Sequence, residues 1–105
     1  MLFRSKFAKA HSKNYVEVIG SGRGGSPATL QGREHMTTIP STKLAAQAAY
    51  KMAGITPKDV DFAEVHDCFT IAEIVDTEDL GFFEKGQGVQ AIREGRTSLD
   101  RKSVV

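Results

Sequence analysis

Between Asn14 and Gly20 the chain reads NYVEVIG, a β-branched run in which Tyr15, Glu17 and Ile19 alternate with Val16 and Val18. Alternation of that kind, closed by a glycine, predicts a strand. A second extended run, VDFAEVH over 60–66, places Val60, Phe62 and Val65 around the small Ala63 and predicts another. The other segments show helical spacing. Leu2, Phe3, Phe7 and Ala10 predict a short helix over 2–11. STKLAAQAAYKMA, over 41–53, is rich in strong helix formers, and Gly54 is its stop signal. Its expected apolar stripe is Leu44, Ala45, Ala48, Ala49 and Met52. TPKD at 56–59 predicts a single turn, with Thr56 as cap and Pro57 at the first helical position. FTIAEIVDTEDLGF, over 69–82, predicts a further helix with Thr70 and Glu73 spaced as a capping box. A last short helix is expected over 89–94.

The order helix, strand, helix, strand, helix, helix implies a right-handed crossover between parallel strands, and so an α/β fold. Two strands make a poor parallel sheet, which ordinarily has several strands and both faces covered. The expected architecture is therefore a partial α/β lobe: two core strands of a mixed sheet with flanking helices. An open strand edge and an uncovered apolar face would favour self-association.

Size and composition narrow the class. A chain of 105 residues, 40% hydrophobic and 26% charged, has room for one globular domain and is not of disordered type. No apolar run approaches the roughly 20 residues needed to cross a bilayer, and the first residues lack a signal peptide's apolar region. A single cysteine rules out an intrachain disulfide. A cytoplasmic protein is expected. The net charge of +1 is unevenly spread. Residues 1–58 hold nine Lys/Arg against two Glu; residues 59–105 hold five against eleven Asp/Glu. The basic residues are scattered and not interleaved with aromatics, which makes a weak nucleic-acid footprint.

Two clusters carry candidate chemistry. Gly20, Gly22 and Gly25 spell G-x-G-x-x-G after the first strand, as in a dinucleotide-binding turn. Pro27 follows directly, and no helix begins for about ten residues more, so the required strand–turn–helix context fails. A glycine-rich loop with positive φ values is the plainer expectation. The second cluster is His66-Asp67-Cys68. An extended backbone points His66 and Cys68 to one side, as a Cys–His pair would need. A zinc site requires three or four ligands, and His11 and His35 complete no recognisable pattern. Otherwise Cys68 is a small buried packing residue and His66 a hydrogen-bonded residue at a strand end. The C-terminal end of a parallel strand is also where α/β folds gather ligands, and His66 stands there.

The stretch KLAAQAAYKMAGITPKDVDFAEVHDCFTIAEIVDTEDLGFFEKGQG resembles the C-terminal half of the thiolase superfamily. The likeness extends over about residues 14–100. The branch it resembles is that of archaeal-type acetyl-CoA acetyltransferases and sterol-carrier-protein-type thiolases, which carry H-D-C-F where other thiolases carry N-E-A-F. Here the motif is His66-Asp67-Cys68-Phe69, flanked by EDLGF and EKGQG. The resemblance implies Claisen chemistry on coenzyme A thioesters, forming or cleaving acetoacetyl-CoA. It implies that His66 is an oxyanion-hole donor to the thioester oxygen, acting by way of a held water, and that Cys68 falls at the alanine of N-E-A-F and is no nucleophile. It further implies acyl-CoA as ligand, no covalently bound cofactor, a homo-oligomer, and contacts with hydroxymethylglutaryl-CoA synthase and a small zinc-ribbon protein. No metal, nucleic acid or membrane is expected.

The departures are as informative. There is no second cysteine and no G-H-P, since His11, His35 and His66 precede Ser12, Met36 and Asp67. RKSVV stands where the family would continue toward G-H-P. Residues 1–13 look like the tail of a preceding helix, and 96–105 like a truncated, irregular end. The expectation is a C-terminal thiolase-like piece, inactive alone, with a non-catalytic acyl-CoA-binding or interaction module as the alternative.

Overall fold

The computed structural model describes residues 2–98, with side chains from Phe7 onward. Four helices are formed: α1 (Leu2–His11), α2 (Pro40–Ala53), α3 (Ala72–Asp79) and α4 (Gly88–Arg93), with single 3-10 turns at Leu30–Gly32 and Pro57–Asp59. The expected two-stranded sheet is overturned: among the described residues there is no β ladder at all. The segments 14–20 and 60–66 do run extended, but a strand is defined by hydrogen bonds to a neighbour, which side-chain alternation cannot supply. Most of their side chains stay open to solvent, with Val60, Ala63 and Val65 half-buried. Val16 is 95% exposed, and Val18, Ile19 and Phe62 are more than half exposed.

Helix α2 organises the body. It begins on Pro40, whose missing N–H is no loss at the first helical position. It ends on Gly54 in the left-handed conformation, φ 71°, with the Gly54 N–H donating to the Tyr50 carbonyl. Two of its faces are used. Positions 42, 46 and 50 meet α3: the Thr42 hydroxyl donates to Asp76, Ala46 is buried, and the Tyr50 hydroxyl donates to the Leu80 carbonyl at 2.9 Å. Burial raises the Tyr50 pKa. Positions 41, 45, 49 and 53 meet the extended glycine segment. The expected stripe through Leu44 and Met52 is therefore corrected, because both side chains are largely exposed. Large side chains there would hold the helix away from backbone that it must approach closely.

The glycines explain this face. A β-carbon on Gly20 would meet the Ala49 carbonyl at 2.5 Å. One on Gly22 would overlap the Ala45 carbonyl, and one on Gly24 the Ser41 carbonyl. Two residues of extended chain rise about 6.6 Å, and four residues of helix about 6.0 Å, so alternate glycines match successive turns of α2. None of Gly20, Gly22, Gly24 or Gly25 has positive φ. The expectation of a loop built on positive φ is thus replaced by close packing of backbone on backbone.

Helix α3 lies between α2 and α4, with Ala72, Val75, Thr77 and Asp79 buried, and Gly88 and Ala91 buried on α4. The expected Thr70–Glu73 capping box does not form. The helix opens one residue later, on Ile71 in αR conformation, with no side-chain cap. The box appears instead at Thr56–Asp59, where the Thr56 N–H and hydroxyl donate to Asp59 at 2.8 and 2.7 Å. Residues 99–105, most of the expected irregular end, lie outside the described residues.

Glu78 ties α3 to α4. Its side chain is 5% exposed, and Oε1 accepts the Gly88 N–H at 2.8 Å. Burial pushes its pKa up, but the Gly88 and Gly86 N–H groups and the Lys85 ammonium outweigh burial and hold it below the usual value of 4.5. A depressed folded-state pKa means stability that is present above the unfolded value and lost as pH falls through the folded one. Glu78→Gln should therefore be less stable than the parent at neutral pH, and should flatten the acid limb of a urea-midpoint profile below about pH 4.5. Equal acid slopes in the two proteins would exclude this role.

Candidate functional site

His66, Asp67 and Cys68 end the second extended segment and lead into α3 through Phe69, Thr70 and Ile71. The Phe69 carbonyl accepts the Ala72 N–H at 2.8 Å and the Ile71 carbonyl accepts the Val75 N–H at 3.1 Å, so the chain turns sharply into the helix. The motif sits on the outside of that turn. His66, Asp67, Cys68 and Phe69 are all exposed, Phe69 to 73%. Cys68 is a free, exposed thiol, which corrects the expectation of a buried packing residue. No hydrogen bond joins it to His66.

The three histidines stand apart. His11 stacks on Phe7 within α1, with ring centroids 6.2 Å apart. His35 lines an open groove of about 390 Å³ with Glu34, Thr38, Pro40, Lys43, Leu44 and Gln47. His66 is at the start of the α3 turn. Among the described residues no group of three His, Cys, Asp or Glu side chains is placed to hold a metal ion. No described helix is long and apolar enough to cross a membrane.

Two carboxylates of α3 are tied to the start of α2. The Thr42 hydroxyl donates to Asp76 Oδ1 at 3.2 Å, and the Ile39 N–H donates to Asp79 Oδ2 at 2.6 Å. Burial raises the Asp76 pKa. The Thr42 hydrogen bond opposes that, the Asp79 charge adds to it, and the His66 imidazole opposes it. Asp76 and Asp79 were not singled out by sequence reasoning. A signal was present for Asp79, since Ala72, Val75 and Asp79 are spaced i, i+3, i+7 and form one buried stripe.

Residues 22–103 match the Thiolase C-terminal domain-like family, and the chain belongs to it. An acetyl-CoA acetyltransferase of Methanothermobacter thermautotrophicus is 41% identical over 100 residues, covering 95% of this chain and 26% of that protein. The benzoylsuccinyl-CoA thiolase subunit BbsB of Thauera aromatica is 37% identical over 93 residues, covering 89% of this chain and 24% of the subunit. Among solved structures, an Ltp2–ChsH2(DUF35) aldolase superposes with a TM-score of 0.73 at 27% identity, covering 80% of this chain and 23% of that one. The chain thus spans about a quarter of the length of these relatives.

Proposed function

We propose that these residues supply the oxyanion-hole donor of a CoA-dependent thiolase-type acyltransferase, with acetyl-CoA or acetoacetyl-CoA as substrate and His66 as the donor. The observation that carries this is the placement of His66. It is exposed at the end of an extended segment, at the turn into a helix, within the H-D-C-F of a chain belonging to the thiolase C-terminal family. Negative charge develops on a thioester oxygen as its α-carbon is deprotonated. A pre-placed N–H, direct or through a water, lowers that barrier. Cys68 is exposed but two residues from His66 on the same short segment, where the family motif assigns it no nucleophilic role. The acylated cysteine and the remaining acid/base groups would come from residues outside these 105.

The protein would work in the cytoplasm as a homo-oligomer. The solved aldolase neighbour is a complex with a DUF35 protein, which supports a small protein partner here, whether of that kind or the expected zinc-ribbon protein; hydroxymethylglutaryl-CoA synthase is the other expected partner.

The test is a chimaera in which residues 14–98 replace the matching part of the Methanothermobacter acetyl-CoA acetyltransferase. His66→Ala in that chimaera should lower kcat for acetoacetyl-CoA thiolysis by about 10²–10³, the usual loss for one oxyanion donor. The 105-residue chain alone should show no turnover. An active chimaera indifferent to His66→Ala, or His66-dependent turnover by the isolated chain, would overturn the proposal.

A further inference from the structure

Helix α2 has a third face that neither α3 nor the glycine segment covers. Positions 42, 46 and 50 meet α3, and 41, 45, 49 and 53 meet the glycines, which leaves 43, 44, 47, 48, 51 and 52 turned outward. Leu44 and Met52 on that face are each more than half exposed, and the exposed Ala48 between them completes an apolar stripe at i, i+4, i+8. Its N-terminal end opens into the groove of about 390 Å³ lined by His35, Pro40, Lys43, Leu44 and Gln47. Lys43 and Lys51 flank the stripe, and α2 carries no acid. Glu34 is the one acid among the described lining residues. Charge of the opposite sign stands elsewhere. Residues 59–73 hold five acids and no Lys or Arg. There Asp61, Phe62 and Glu64 are exposed on an extended segment that has no ladder, Phe62 to 65%. Among the described residues the side chains of Lys43, Lys51, Asp61 and Glu64 make no hydrogen bond or ion pair. Within one copy the two surfaces leave each other uncovered.

We propose that this outward face of α2 docks a second copy of the chain, taking the neighbour's segment from Asp61 to Glu64. The contact deepens the homo-oligomer of the proposed function and rests on that reading. Alternation puts Phe62 and Glu64 on one side of the extended segment, about 6.6 Å apart. Phe62 seats against Leu44 and Pro40 in the groove. A volume above about 300 Å³ holds a small ligand, and so a phenyl ring. Glu64 then falls about one turn further along α2, where successive turns are about 6 Å apart, between Lys43 and Lys51. An aromatic anchor in a pocket supplies most of the energy of such a contact, and charges at its rim supply selectivity and register. The two surfaces differ, so the contact is head-to-tail, and each pair of copies keeps one surface of each kind open for the next.

Sedimentation equilibrium of the 105-residue chain tests this. The average mass should rise with protein concentration beyond two copies, and should fall in about 1 M salt, where the Debye length is about 3 Å. The double variants Lys43→Glu/Lys51→Glu and Asp61→Lys/Glu64→Lys should each weaken association by about tenfold or more. Mixed in equal amounts, the two variants should associate again and stop at two copies, because each brings one intact surface. All four side chains are exposed, so their replacement removes no packing, and circular dichroism matching the parent's checks that each variant folds. A parent that stays monomeric, variants that keep the parent's mass, or folded variants that do not associate on mixing would overturn the proposal. Variants with the parent's mass would place the contact elsewhere, as on the exposed segment 14–20, and leave the homo-oligomer standing. A monomeric parent would remove both. No thioester enters the measurement, so its outcome is separate from that of the chimaera assay.

Discussion

Gly22→Ala should destabilise the chain by about 2–3 kcal/mol, while Gly25→Ala should leave it unchanged or stabilise it by about 0.4–1 kcal/mol. Both glycines belong to the same short motif, and both have φ outside the left-handed region, so conformational freedom does not separate them. Space does. A methyl on Gly22 would overlap the Ala45 carbonyl oxygen, with the Ala45 carbonyl carbon at 2.7 Å and the Ala49 nitrogen at 2.9 Å. All three are backbone atoms of α2, and no rotamer change relieves the clash. A methyl on Gly25 meets nothing within 4 Å. The extended segment must then lift from α2, and the cost is capped by what its docking contributes. Urea denaturation of both variants measures the difference. Amide exchange over 20–25 should rise in Gly22→Ala ahead of global unfolding. Equal stability of the two variants would show that the segment is not held against α2.

Those glycines also show where the sequence was legible. G-x-G-x-x-G suggested either a phosphate loop or a glycine-rich loop with positive φ, and the missing helix after Pro27 argued against the first. The actual use, backbone laid on a helix, needs Ala45 and Ala49 opposite, and those lie more than twenty residues away. Elements whose signals are local came through well. Helix α2 and its Gly54 stop, the Pro57 turn and the short α4 each fall within one residue of expectation, because caps and propensities act over a few positions. The strands did not, because extended side-chain alternation says only that a segment is stretched. Which backbone completes the ladder is a long-range matter, and among residues 2–98 none does.

The candidate site divides the same way. H-D-C-F identified the family from four residues and their flanks, and the family match confirms it. The environment of the motif was misjudged. Cys68 was expected to be buried because free cysteines usually are. The segment carrying it turns outward before α3, so the thiol faces solvent. Asp79 on α3 was not singled out, although its spacing from Ala72 and Val75 puts it on the buried face of the helix.

Asp79→Ala should cost about 2–4 kcal/mol, which makes it the most damaging single side-chain truncation expected outside the glycine segment. Its carboxylate is 3% exposed. One oxygen accepts the Ile39 N–H at 2.6 Å, just where α2 begins, and the other accepts from Lys85 at 2.9 Å. Alanine leaves the Ile39 N–H without an acceptor in a half-buried position, and an unpaired buried donor carries its full desolvation penalty. Lys85 contributes less to the loss. Its head is 41% exposed and can turn to Glu78 or to water. Asp79→Asn separates the two roles. The carboxamide oxygen can still accept from Ile39 while its NH₂ faces the ammonium, so the cost should be intermediate and should fall when Lys85→Met is added. Alanine, in contrast, should show little coupling to Lys85→Met. Chemical denaturation of the double-mutant cycle gives both values. If Asp79→Ala falls within about 0.5 kcal/mol of the parent, the range for surface substitutions, then the α2–α3 junction does not depend on this carboxylate. A loss confined to amide protection at residues 39–43 would instead place the whole effect at the start of α2, the same turn that holds Thr42 against Asp76.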